Sequence, residues 1–133
     1  MALLNWSTEY SVEVESIDKQ HQQLFSMLND LHDAMKAGKG AQLAPRVLKK
    51  LVDYTCEHFA WEEALMAKAH YPELARHKAE HDKLTGEVAK LVQDVESGKT
   101  VVSMKLLQFL RSWLQDHIAG VDKKYTSYLS PRT

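Results

Sequence analysis

Seven side chains in this sequence have the chemistry and the spacing of metal ligands. His77 and His81 are four residues apart, which on a helix stacks two imidazoles one turn apart on the same face. His58 and Glu62 repeat that spacing with one nitrogen and one oxygen donor. His117 and Asp122 are five apart. An ideal α-helix would separate that pair by about 140°, so either the aspartate reaches in from the helix end or a π-bulge brings it round. His21 adds one further imidazole. Seven donors exceed the four that one zinc ion takes. They suit two metals with shared ligands. A carboxylate spans two cations with its two oxygens, whereas a neutral imidazole binds one. Glu62 and Asp122 are therefore the natural bridges and the five histidines the terminal ligands. Mixed imidazole and carboxylate donors suit iron among the redox metals, and donor type alone leaves zinc and manganese open.

Four stretches of helical periodicity must position these donors. Helices are expected over roughly 17–37, 44–69, 73–96 and 102–125, with residues 1–15 as an extended N-terminal arm anchored by Trp6 and Tyr10. Ser16 reads as the first N-cap, and Gly38 and Gly40 as the first stop. Pro45 suits an opening helical turn. Pro72 ends the second helix and opens the third, which Gly98 closes. Short connections suit antiparallel neighbours, so the expected fold is all-α, an antiparallel up-down-up-down four-helix bundle.

His21, His58, His77, His81 and His117 all fall in the apolar stripes of these helices, where a polar group is costly unless paired or metal-bound. One histidine on an apolar face is commonplace, and so is a single four-residue histidine pair. Seven donors facing inward from four helices need one shared explanation. His32 and His70 have no partner at ligand spacing and are expected at the surface. Cys56 lies off the inward stripe and reads as a buried small residue rather than a nucleophile.

Composition narrows the class. The 133 residues suit a single domain. With 17 basic and 18 acidic residues the formal net charge is -1, which argues against a nucleic-acid binder or a polybasic membrane module. A lone cysteine makes no internal disulfide, and 5 glycines and 3 prolines are too few for a turn-rich β-sandwich. The N-terminus lacks a signal-peptide pattern and no stretch has the roughly 18 apolar residues of a spanning helix. A cytoplasmic location is expected. Rival metal motifs are missing: there is no His-Glu-x-x-His, no Cys-x-x-Cys-His and no Glu-x-x-His.

Ile17-Asp18-Lys19-Gln20-His21, His58-Phe59-Ala60-Trp61-Glu62-Glu63 with Met66, Tyr71-Pro72, and His77 through Glu80-His81 resemble the hemerythrins. So does Trp113-Leu114 followed by His117-Ile118, Asp122 and Tyr125. The single-domain bacteriohemerythrins are the most similar branch, and the resemblance runs over nearly the whole chain. It implies two non-haem iron ions joined by an oxo or hydroxo group. His77, His81 and His117 would hold one iron, His21 and His58 the other, and Glu62 and Asp122 would bridge them. The iron that is one ligand short would take up dioxygen reversibly as hydroperoxide, with the proton supplied by the bridge.

On that resemblance the chain is expected to be an oxygen carrier or store and not an enzyme. It would be a monomer that passes dioxygen to an oxygen-consuming enzyme. Leu24, Leu28, Trp113, Leu114 and Ile118 are the expected walls of a dry oxygen pocket, with Leu114 and Ile118 foremost. Gln20 and Glu80 are the acceptors nearest in sequence for the outer imidazole N–H groups. Leu84 departs from a phenylalanine common in the family, which leaves room near the first iron. The alternatives are a di-iron redox enzyme, reducing peroxide or nitric oxide or acting as an oxidase, and an oxygen sensor. Tyr54 and Tyr125, the candidate redox groups for an enzyme, read as packing.

Overall fold

The computed structural model describes residues 4–37, 44–99 and 103–129. Its long helices are α1 (Glu15–Lys36), α2 (Ala44–Lys68), α3 (Leu74–Glu96) and α4 (Met104–Asp116). A π-turn over His117–Val121, a 3-10 segment over Asp122–Tyr125 and a short α5 (Thr126–Leu129) continue α4. The continuous fourth helix expected over 102–125 is thus interrupted at the ligand positions. Gly38, Gly40 and the first residues of the arm lie outside the described residues.

Helix ends explain several other departures. Ser16 is not the N-cap of α1. The helix starts at Glu15, after Val14, without a side-chain cap. Instead Asp18 turns back on the arm, accepting from Ser11 Oγ at 2.6 Å and from the Val12 N–H at 2.8 Å. Pro72 sits in the turn before α3 rather than in its first helical position. Gly98, at φ 81°, ends α3 as anticipated, with the Lys99 N–H bonded to Asp94 C=O and the Gly98 N–H to Val95 C=O. His70 does the same at the end of α2 with φ 57°, Tyr71 N–H reaching Met66 C=O.

The order of buried residues along each helix shows the antiparallel arrangement. Ile17 of α1, Met66 of α2, Tyr71 before α3 and Tyr125 after α4 form one apolar cluster with Val12 and Val14. Leu24, Leu28 and Leu31 of α1, Leu48, Leu51 and Phe59 of α2, Leu84 and Val88 of α3, and Leu106, Leu107, Leu110 and Leu114 of α4 belong to the other. The small cluster comes first on α1 and α3 and last on α2 and α4. Chain direction therefore alternates, giving an all-α up-down-up-down bundle. The arm spans both clusters, Leu4, Trp6 and Tyr10 on the larger and Val12 and Val14 in the smaller. Trp6 and Tyr10 pack on Phe25 at 5.4 and 5.0 Å, and Leu4 exchanges two hydrogen bonds with the Asn29 amide. No described helix is long and apolar enough to cross a membrane.

Candidate metal centre

Between the two apolar clusters lies a polar layer, one turn or two thick on every long helix. His21, His58, Glu62, His77, His81, His117 and Asp122 are all buried, none more than 5% exposed. Helical spacing aligns the His58–Glu62 and His77–His81 pairs. The fourth helix solves its five-residue problem with the π-turn: the Asp122 N–H reaches the His117 carbonyl, five residues back, so both side chains face the core.

All five imidazoles point Nε2 inward. His77 Nε2 lies 2.9 Å from Asp122 Oδ1 and 3.2 Å from Glu62 Oε1. His81 Nε2 is 3.2 Å from Glu62 Oε1, and His117 Nε2 is 3.0 Å from Asp122 Oδ1. His21 Nε2 is 3.2 Å from Asp122 Oδ2 and 3.5 Å from Glu62 Oε2, and His58 Nε2 is 3.4 Å from Glu62 Oε2. The donors fall into two groups: His77, His81 and His117 with Glu62 and Asp122, and His21 and His58 with Glu62.

Of these contacts, only His77 Nε2 to Glu62 Oε1 has the geometry of a hydrogen bond. His21 Nε2 and both Asp122 oxygens are buried yet lack a partner of acceptable geometry, although they sit within 3.2 Å of opposite atoms. His81 Nε2 and His117 Nε2 face each other at 3.1 Å. Lone pairs that converge on common points rather than on each other's protons are what cations require. The donor chemistry matches: imidazole nitrogen and carboxylate oxygen, with Glu62 common to both groups and Asp122 Oδ2 also 3.2 Å from His21 Nε2. The His/Glu/Asp cluster fits a di-iron centre.

Electrostatics in the metal-free chain follow from that crowding. Burial works against charge on His21 and His77, but Asp122 and Glu62 outweigh it and push each imidazole up to about 9. For His58 burial wins, and its pKa falls. Burial opposes the charge on Glu62, yet the surrounding imidazoles hold it well below the usual carboxylate range. Asp122 is likewise lowered against burial and the Glu62 charge, chiefly by His117 and His21.

The outer faces of the imidazoles are anchored unevenly. His58 Nδ1–H donates to the Gln20 amide oxygen at 2.7 Å, although Gln20 adjoins His21 in sequence and stands 38 residues from His58. Glu80 lies 3.7 Å from His117 Nδ1, an ion-pair distance rather than a hydrogen bond. Three contacts escaped the sequence reading. Glu63 Oε2 accepts from His81 Nδ1–H at 2.8 Å. Phe59 lies flat on the His81 ring at 3.7 Å. Tyr125, read as packing, is fully buried and also donates its hydroxyl to Glu62 Oε2 at 2.7 Å. The three-residue step from Asp122 to Tyr125 was a usable signal for the last.

Among the expected pocket residues, Leu24, Leu28, Leu114 and Ile118 are buried in the larger cluster. Trp113 is half-buried and stacks on His117 at 4.4 Å. Leu84 borders a small apolar hollow of about 20 Å³ with Val52, Thr55, Cys56, Thr85 and Val88. Two expectations are corrected. Cys56 is exposed, not buried, because it faces outward beside Thr85. His32 is half-buried with a buried Nδ1, whereas His70 is exposed.

Residues 12–129 match the family model of the hemerythrin HHE cation binding domain. A bacteriohemerythrin of Methylococcus capsulatus is 40% identical over 131 residues, covering 98% of this chain and 99% of that protein. A hemerythrin-like protein of Naegleria gruberi is 36% identical over 125 residues, 94% of this chain and 92% of the other. Among solved structures, a wild-type hemerythrin superposes with a TM-score of 0.93 at 40% identity, covering 98% of this chain and all of the other. With its cluster between two apolar layers of a four-helix bundle, this chain belongs to the hemerythrin family.

Proposed function

We propose that this chain binds dioxygen reversibly, as an oxygen carrier or store. His77, His81 and His117 would hold one iron, His21 and His58 the other, with Glu62 and Asp122 bridging. The observation that carries the reading is the unequal split of the buried imidazoles, three against two, around the shared Glu62 carboxylate. The smaller group leaves one metal a ligand short, which is the place for a small neutral molecule to dock. When bound, the iron pair supplies the two electrons that oxygen takes up and returns on release.

The protein's own residues supply fixation and dryness. Both carboxylates are held by several imidazoles at once, so the set is ready-made rather than assembled on binding. Tyr125 keeps its proton, because burial and the charges of Asp122 and Glu62 push its pKa up, and that proton pins Glu62. Leu24, Leu28, Leu114 and Ile118, with Trp113 against them, form the proposed pocket wall, and such a wall excludes water that would promote irreversible oxidation. The reading includes a cytoplasmic monomer that hands its oxygen to an oxygen-consuming enzyme, in keeping with the low net charge and the single cysteine.

A second reading, a di-iron redox enzyme, draws on one observation. A surface cavity of about 420 Å³, lined by Tyr71, Arg76, Glu80, Lys124 and Tyr128, reaches His77. One experiment separates the two. The ferrous protein should take up oxygen and release it intact under vacuum through repeated cycles. Release of peroxide, or loss of the ferrous state within a few cycles, would overturn the carrier reading.

A further inference from the structure

The outer partners of His81 and His117 on one side of the centre, and of His58 on the other, differ in charge. On the three-imidazole side, Glu63 accepts the Nδ1–H of His81 at 2.8 Å, and Glu80 stands 3.7 Å from Nδ1 of His117. On the two-imidazole side, His58 donates to a neutral amide, Gln20, at 2.7 Å. His21 Nδ1 is buried and has no hydrogen-bond partner. Glu63 is well placed to matter, with its side chain only 19% exposed. Lys78, which lies 4.0 Å from Glu63, sits closer to Asp82 at 3.1 Å and leaves most of the Glu63 charge to His81.

A carboxylate that accepts the outer N–H of a ligand imidazole makes its inner nitrogen a stronger donor, and a neutral amide does so less. Stronger donation favours the more highly charged metal ion. We propose that Glu63 and Gln20 are positioning residues that make the two halves of the centre electronically unequal, so that the three-imidazole side is oxidised first and the His21–His58 side stays ferrous longest. This rests on the ligand assignment proposed above, but not on oxygen binding. It also gives the asymmetry a use. The side with the vacant ligand position is the side kept reduced.

The test is an anaerobic redox titration of the iron-loaded protein, followed by pulsed EPR of the half-oxidised form. In the native chain two separate one-electron steps are expected, and the ferric ion should show three imidazole nitrogens. Glu63→Gln should raise the first midpoint and narrow the gap. Gln20→Glu should lower the second midpoint and narrow it too. Glu63→Asp, which keeps the charge, should hold the gap near its native value. The double exchange Gln20→Glu with Glu63→Gln should move the ferric ion toward the two-imidazole side.

A ferric ion with two imidazoles in the native chain overturns the proposal, and that measurement needs no variant to fold. So does a gap unchanged in both single variants while iron content stays at the native level. A native chain that fails to release oxygen intact, yet shows the three-nitrogen ferric signature, removes the carrier reading and supports this one.

Discussion

Tyr125 keeps its hydroxyl proton and donates it to Glu62 Oε2 at 2.7 Å. Phenylalanine there would keep the aromatic packing on Tyr71 and remove only the donor. A buried acceptor left without its partner costs about 1–3 kcal/mol. Tyr125→Phe should therefore lower the urea unfolding free energy by about that much while iron content stays at the native level. An unchanged unfolding midpoint would show that the bond contributes nothing net. The same residue marks how far a sequence can be read at this scale. The seven donors were legible because each recurs at a helical step from another donor or from an apolar stripe. Glu63 and Phe59 were not, because the outer face of an imidazole on α3 is met by a side chain from α2, and no spacing within α3 encodes that neighbour.

Helix bodies were legible from periodicity; helix ends were legible only where a residue type announces them. Gly98 did so for α3. His70 fills the same left-handed position at the end of α2, an unusual choice for a residue with a Cβ, and gave no sign of it in the sequence. The five-residue interval from His117 to Asp122 was the clearest local signal of irregular structure, since an α-helix could not put both inward. A π-turn amounts to one residue inserted into an α-helix, so removing one residue should undo it. Gly120 is exposed, and a Cβ built on it would meet nothing within 4 Å, which makes it the residue to delete. The shortened chain should close as regular α-helix, with His117 and the aspartate one turn apart on one face. Iron content should then match the native chain's, and the melting temperature should rise as a helix-interior glycine is lost. Loss of half or more of the iron would mean that the π-turn sets a geometry plain α-helix cannot supply.

At the scale of the whole molecule, the bundle is two apolar plugs around a charged layer, and its stability without metal must depend on pH in a way that stability with metal does not. In the metal-free chain His21 and His77 are raised from an ordinary 6.5 to about 9. A group with a raised folded pKa contributes stability that is fully present below its unfolded pKa and is lost as pH rises through the folded one. That contribution fades between pH 6.5 and 9. Glu62 and Asp122 are lowered, so theirs is present above the ordinary carboxylate range and fades as pH falls. Metal reverses the first of these slopes. Coordination needs the imidazoles neutral, so protons compete with iron below their pKa values and are released when it binds. The melting temperature of chelator-treated protein should fall from pH 6.5 to 9, and that of iron-loaded protein should hold or rise over the same range. Adding iron to the metal-free chain near neutral pH should release protons, measurable with an indicator dye in weak buffer. Parallel melting curves, or metal uptake without acidification, would show that the imidazoles already stand neutral and that the carboxylates do not govern their charge.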